Sequence, residues 1–277
     1  MSILSVDGAN LSYNVVGNGP ALIFVPGANG TGDIFAKAAE FLKNDFTVIT
    51  YDRRNYGASE LTKPIPEEAK NSDSTYRIKT DAADIAALVE HVAKEPAYIL
   101  GSSSGSIVVM ETLQAYPEIF KKAFFHESPI NVFLNDKESA QANNNEIVEL
   151  ANHGKLSEAM MRFAKFMKIG ELDRQMMTNP PTNLSEEQAK EALRQRMFWM
   201  NYEIRQYTSR QIDLATFKNN QDKVVLLNGT DSGSSFPCGV MNQLSAAIDV
   251  PITMIPGGHL GYAQKPEGFA EVIKEQR

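Results

Sequence analysis

Apolar residues in the first 130 positions fall in short continuous blocks, separated by stretches in which they recur every three or four residues. Ala21-Leu22-Ile23-Phe24-Val25 contains no polar member and is closed by Pro26-Gly27, the pattern of a strand buried on both faces. Phe46 to Tyr51, Ala97 to Leu100 and Ala123 to Phe125 read as further buried strands. Ile34 to Leu42, Thr80 to Val92 and Ser104 to Ala115 read as helices; in the second, Ile85, Leu88, Val89 and Val92 share one face. Ile3 to Val6 and Leu11 to Val16, separated by Asp7-Gly8-Ala9-Asn10, predict a hairpin. Two strand–helix units close the chain, with strands at Val224 to Leu227 and Ile252 to Ile255 and a last helix at Phe269 to Glu275. Such alternation predicts an α/β fold: a mostly parallel, twisted sheet of roughly eight strands with helices on both faces.

Between positions 130 and 218 the pattern changes. β-Branched blocks disappear, and Glu146 to Ala151, Leu156 to Met167 and Glu186 to Tyr207 have helical composition, interrupted at Asn179-Pro180-Pro181-Thr182. The expected organisation is a core at 1–129 and 219–277 with a helical cap at 130–218 over the C-terminal edge of the sheet. Met160, Met161, Met176 and Met177 precede the interruption, and Met197, Phe198, Trp199 and Met200 follow it. They serve either as ordinary packing or as the wall of a pliable apolar pocket.

Charge narrows the range of partners. A formal net charge of -7 and no long basic run disfavour nucleic acid. No stretch reaches the roughly 20 apolar residues of a membrane span, and Met1 to Asp7 lacks a basic, then apolar, signal-peptide start. The single cysteine, Cys238, excludes an internal disulfide and a cysteine-based metal cluster, and reads as a packed, inert thiol. A cytoplasmic chain with no cofactor and no metal is expected.

The chemistry is concentrated at Gly101-Ser102-Ser103-Ser104-Gly105, directly after one strand and before a helix. A tight strand-to-helix turn needs small residues two positions either side of an exposed serine. Ser103 has glycines there, whereas Ser102 follows Leu100 by two and Ser104 is flanked by serines. A serine nucleophile needs a base, and the chain has four histidines. His91 lies among charges on a helix, His153 at a helix end, and His126 at the end of a strand. His259, in Pro256-Gly257-Gly258-His259-Leu260-Gly261, stands in a glycine-flanked loop after the last strand, the edge where the elbow also emerges. The expected acid is Asp231, just past the buried strand of Val224 to Leu227, although Asp231-Ser232-Gly233 equally suits an Asx-turn. Glu127, in His126-Glu127-Ser128-Pro129, is the alternative acid. Backbone N–H groups of Ser104, at a helix N-terminus, and of Ala28, in Pro26-Gly27-Ala28-Asn29-Gly30, are the candidate oxyanion donors.

These segments, with Tyr51-Asp52-Arg53-Arg54-Asn55-Tyr56-Gly57-Ala58-Ser59, resemble the α/β-hydrolase superfamily over most of the chain. His126-Glu127-Ser128-Pro129 combined with Pro256-Gly257-Gly258-His259 is similar to a bacterial subgroup with few assigned substrates. Two positions depart from the superfamily pattern: Pro26 stands for the usual histidine before the oxyanion glycine, and Asn55 for a common glycine. The gap from Gly229 to Asp231 is shorter than in many relatives. The resemblance implies a serine hydrolase acting on a small or medium, largely apolar ester, thioester or lactone. C–C bond hydrolysis, perhydrolysis and non-catalytic ligand binding on the same fold are the alternatives. Haloalkane dehalogenation is disfavoured, because it needs a carboxylate where Ser103 stands.

Overall fold

A computed structural model describes residues 1–178 and 184–277, so the Asn179-Pro180-Pro181-Thr182 interruption lies outside the described residues. The chain opens with a hairpin of β1 (Ser2–Val6) and β2 (Ala9–Gly17), followed by β3 (Ala21–Val25), α1 (Ala36–Leu42), β4 (Thr47–Tyr51) and the two-residue β5 (Glu60–Leu61). Then come α2 (Tyr76–Leu88), β6 (Ala97–Ser102), α3 (Ser104–Ala115) and β7 (Phe120–His126). A run of helices follows: α4 (Lys137–Asn152), α5 (Leu156–Met167), α6 (Glu171–Thr178), α7 (Glu186–Tyr202), α8 (Ile204–Thr208) and α9 (Leu214–Asn219). The chain returns to the sheet with β8 (Val224–Gly229), α10 (Phe236–Ile248) and β9 (Ile252–Ile255), and ends with α11 (Gly261–Gln264) and α12 (Pro266–Glu275).

The strands form a nine-stranded sheet in the order β1-β2-β4-β3-β6-β7-β8-β9, with β5 paired to β2. Pairing is antiparallel at the hairpin edge and parallel from β4 to β9. The uninterrupted apolar blocks have the expected cause, since every residue of β3 and of β8 is buried. Side chains alternate between two cores, as the period of a strand requires. Ile23 and Val25 join Ile78, Ile107 and Leu244 on one face; Leu22 and Phe24 join Phe35, Leu42 and Phe269 on the other. Parallel strands place the loops after β3, β6, β7, β8 and β9 at one edge, where the serine, the histidine and both candidate acids reside.

All the chain between β7 and β8 that the structure describes is helical or loop. Ile147, Val148, Ala159, Phe198, Trp199 and Ile204 form an apolar cluster that closes over Tyr56. The expected continuous helix from Glu186 to Tyr207 is broken at Glu203, where φ is -132° and ψ is -49°. The break turns the Glu203 carboxylate toward Arg53, Arg77 and Tyr56 instead of solvent. Among the described residues, no helix is long and apolar enough to cross a membrane.

Candidate active site

Ser103 occupies the single residue between β6 and α3, with φ at +56° and ψ at -129°. For a side chain other than glycine this region is strained by about 1–3 kcal/mol, and the surroundings enforce it. The Ser103 N–H donates to the His126 carbonyl at 2.9 Å, and the Ser103 carbonyl accepts from Ser106 N–H at 2.9 Å. A Cβ at Gly101 would overlap the Gly105 carbonyl, and one at Gly105 would overlap the carbonyls of Val25 and Pro26. The flanking glycines therefore let the helix start pack directly against the strand backbones. Ser104 is the first residue of α3, so its N–H has no acceptor within the helix.

The loop after β3 is fixed by a buried arginine. Arg53 Nη2 donates to the Gly27 carbonyl at 2.9 Å, and Gly30 N–H donates to the same oxygen at 3.0 Å. In a trans peptide the carbonyl and the following N–H point in opposite directions. Pinning Gly27 C=O on Arg53 therefore turns Ala28 N–H away from that arginine. Ala28, Ser103 and Ser104 line one narrow cavity. Ala28, Ser103 and His259 line a second, wider one.

His259 is buried in the loop after β9, whose Gly257 has φ at +98°. Its Nδ1 lies 2.7 Å from Glu127 Oε2. Its Nε2 is buried without a hydrogen-bond partner. Glu127 directly follows β7, and its own φ of +46° swings the side chain back under the histidine loop. The other carboxylate oxygen, Oε1, accepts from Gly229 N–H at 2.8 Å and from the Ser232 hydroxyl. Burial pushes the Glu127 carboxyl up, but hydrogen bonds from His259 and Ser232 and the nearby imidazoles outweigh it and hold the group at about 2. An ionised Glu127 makes Nδ1–H the donor and leaves Nε2 as the unpartnered nitrogen of a ring that lines the same cavity as Ser103.

Asp231, the acid expected from the sequence, is not paired with His259. Its side chain is 56% exposed, accepts from Lys265 Nζ at 3.3 Å and from the Thr230 hydroxyl at 3.0 Å. The cause lies in the backbone. Thr230 N–H donates to the Ile255 carbonyl and Asp231 N–H to the Gly257 carbonyl at 2.8 Å, so the short loop stays zipped to the β9 side and sends Asp231 outward. The strand and loop expected to supply the acid supply Gly229 N–H and the Ser232 hydroxyl to Glu127 instead.

The other histidines take different places. His126 is fully buried, with Nδ1 2.9 Å from the Ser102 hydroxyl and its ring 6.0 Å from that of His259. Burial and the neighbouring His259 lower it to about 4 against the raising influence of Glu127, so it is neutral near pH 7. His153 bonds the Glu149 carbonyl, and His91 is exposed. Cys238 is buried, and burial raises its thiol further. Among the described residues there is no group of three or more His, Cys, Asp or Glu side chains placed to hold a metal ion.

Among the buried acids that the sequence patterns did not single out, two from the helical segment reach the loops of the site. Glu203 bonds Arg53 at 2.7 Å, Tyr56 at 3.0 Å and Arg77 at 3.2 Å, while Arg53 also bonds Asp81 at 2.7 Å. Asp173, in α6, accepts from Leu260 N–H at 2.8 Å and from Gln264 Nε2 at 2.6 Å. The one available signal was Glu203 itself, a carboxylate among Phe198, Trp199, Met200, Ile204 and Tyr207.

Comparison with known proteins agrees with this architecture. The chain is 29% identical over 281 residues to "Uncharacterized hydrolase YraK" of Bacillus subtilis, covering 98% of this chain and 94% of that protein. An alpha/beta hydrolase from Sphaerobacter thermophilus superposes with a TM-score of 0.70 at 19% identity, covering 99% of each chain. A thermophilic esterase from Thermogutta terrifontis gives 0.71 at 16% identity, covering 99% of this chain and 97% of that one. Residues 20–266 match the family described as alpha/beta hydrolase fold, and the chain belongs to that family.

Proposed function

We propose that this chain is a serine hydrolase with Ser103 as nucleophile, His259 as base, Glu127 as the acid and the segment between β7 and β8 as its cap. The observation that carries the reading is the His259–Glu127 pair at 2.7 Å, whose free Nε2 shares a cavity with a serine on a strained elbow. His259 takes the Ser103 proton as Oγ attacks an ester-like carbonyl, and Glu127 stabilises the resulting imidazolium. The N–H groups of Ala28 and Ser104 hold the oxyanion, each donor contributing on the order of 10²–10³ to turnover. His259 then protonates the departing group, and water, activated by the same base, releases the acyl group from Ser103.

The substrate is a carboxylic ester, thioester or lactone of largely apolar character, consistent with the Phe163, Met160, Met176 and Trp199 side chains around the serine. Labelling with a fluorophosphonate probe tests the nucleophile. Wild type is expected to label and Ser103→Ala is not; a folded wild type that resists the probe would overturn the reading.

A further inference from the structure

The two cavities that meet at Ser103 differ in size and in which catalytic group they contain. The wider has a volume of about 310 Å³ and is lined by His259 together with Ile34, Met160, Met176 and Leu260. The narrower has a volume of about 20 Å³ and lies between Ser104, Pro129, Met167 and Phe236, without His259 on its wall. The narrow cavity is more than tenfold smaller than the wide one, so it suits a short alkyl group better than a long one. Phe166 and Phe236, whose ring centroids lie 4.9 Å apart, stand on its wall, as do Asn144 and Thr208. The same two phenylalanines also line an outer cleft of about 570 Å³.

Proton transfer decides which part of a substrate enters which cavity. As Ser103 Oγ bonds the acyl carbon, the bond from that carbon to the leaving-group oxygen or sulfur breaks. The proton taken from Ser103 passes from His259 Nε2 to that departing atom. The leaving group must therefore lie in the cavity that His259 lines, and the acyl substituent points into the other. Resting on the serine hydrolase reading above, we propose that the enzyme takes esters or thioesters of short acyl groups, acetyl to propionyl in size, with larger apolar leaving groups. The Phe166–Phe236 pair is the stop that sets the acyl limit.

The test is a series of 4-nitrophenyl acetate, butyrate, hexanoate and octanoate, in which only the acyl chain changes. For wild type, kcat/KM is expected to fall by about 100-fold or more from acetate to hexanoate, since added methylenes find no space. Phe166→Ala and Phe236→Ala open the narrow cavity to the outer cleft and should raise the hexanoate-to-acetate ratio at least about tenfold. Phe166→Leu, a milder change should either alanine variant fail to fold, should raise it in the same direction. Met176→Ala, on the wall of the wide cavity, should leave the ratio where it is. A flat chain-length profile in wild type, or an unchanged ratio in folded Phe166 and Phe236 variants, overturns this inference and leaves the hydrolase reading standing. Probe labelling of Ser103 without turnover of the acetate also overturns it alone. No turnover of any ester together with no labelling overturns both.

Discussion

At the scale of single residues, the two candidate acids differ in which way the carboxylate faces. Glu127 and Asp231 both follow buried strands at the active edge, but only Glu127 has the positive φ that folds it back beneath His259. Glu127→Gln is expected to lower kcat by about 10²–10⁴, because the wrong imidazole tautomer is then favoured. Asp231→Asn, which alters only exposed contacts to Lys265 and the Thr230 hydroxyl, is expected to leave kcat within about twofold. Comparable losses in the two would reassign the acid. Sequence spacing singled out Ser103 and His259 because glycines on both sides of each report a backbone constraint. It ranked Asp231 above Glu127 because the outward turn of Asp231 depends on N–H bonds to Ile255 and Gly257, in a strand and its following loop more than twenty residues later. The buried imidazole beneath the site adds a pH effect. His126 is held neutral with its value lowered from 6.5 to about 4, so an unfolded chain takes up a proton there that the folded chain refuses. Its contribution is intact above pH 6.5 and is lost as pH falls toward 4, a change of roughly 3 kcal/mol at most. Glu127 acts in the lower window: its folded value of about 2 preserves stability above about 4.5 and loses it between there and 2. Urea denaturation of wild type and His126→Asn from pH 7.5 to 4 checks this. The variant should lose less stability over that range, and parallel curves would count against the buried histidine.

At the scale of elements, the central strands were legible because burial on both faces leaves no polar position to mislead. β3, β4, β6 and β7 appear where the apolar blocks predict them, with ends shifted by a few residues. The long helix expected from Glu186 to Tyr207 was less legible, because its break answers to Arg53 and Arg77, which lie far away in sequence. The elbow is the element most tightly bound to its sequence. Since a Cβ at Gly105 meets the backbone carbonyls of Val25 and Pro26, no side-chain rotation relieves it. Gly105→Ala is expected to destabilise the fold by about 1–3 kcal/mol and to slow probe labelling of Ser103, as α3 is pushed off β3. Thermal unfolding and labelling rate measure the two effects. A substitution that leaves both unchanged would mean that the elbow tolerates displacement.

At the scale of the whole molecule, the helical segment sends one buried acid to each of the loops that carry Ala28 and His259. Glu203 reaches the loop after β3 through Arg53, which holds the Gly27 carbonyl. Asp173 reaches the loop after β9 directly, bonding Leu260 N–H beside His259. The two contacts differ in what their loss would do. Glu203→Gln leaves Arg53 and Arg77 with Asp81 as their remaining partner in the cluster, and breaking a buried ion pair in this way destabilises by about 3–5 kcal/mol. Asp173 meets neutral donors, so Asp173→Ala is expected to keep the fold at a loss of about 1–3 kcal/mol. Its effect falls on the histidine loop. Leu260 N–H should exchange with solvent faster, and kcat should fall about tenfold as the base departs from its productive position. Hydrogen exchange and turnover on the same preparation decide the matter. If turnover falls while Leu260 protection stays intact, Asp173 acts on substrate rather than on the loop. If both stay at the wild-type level, the helical segment shapes the cavities without holding the base.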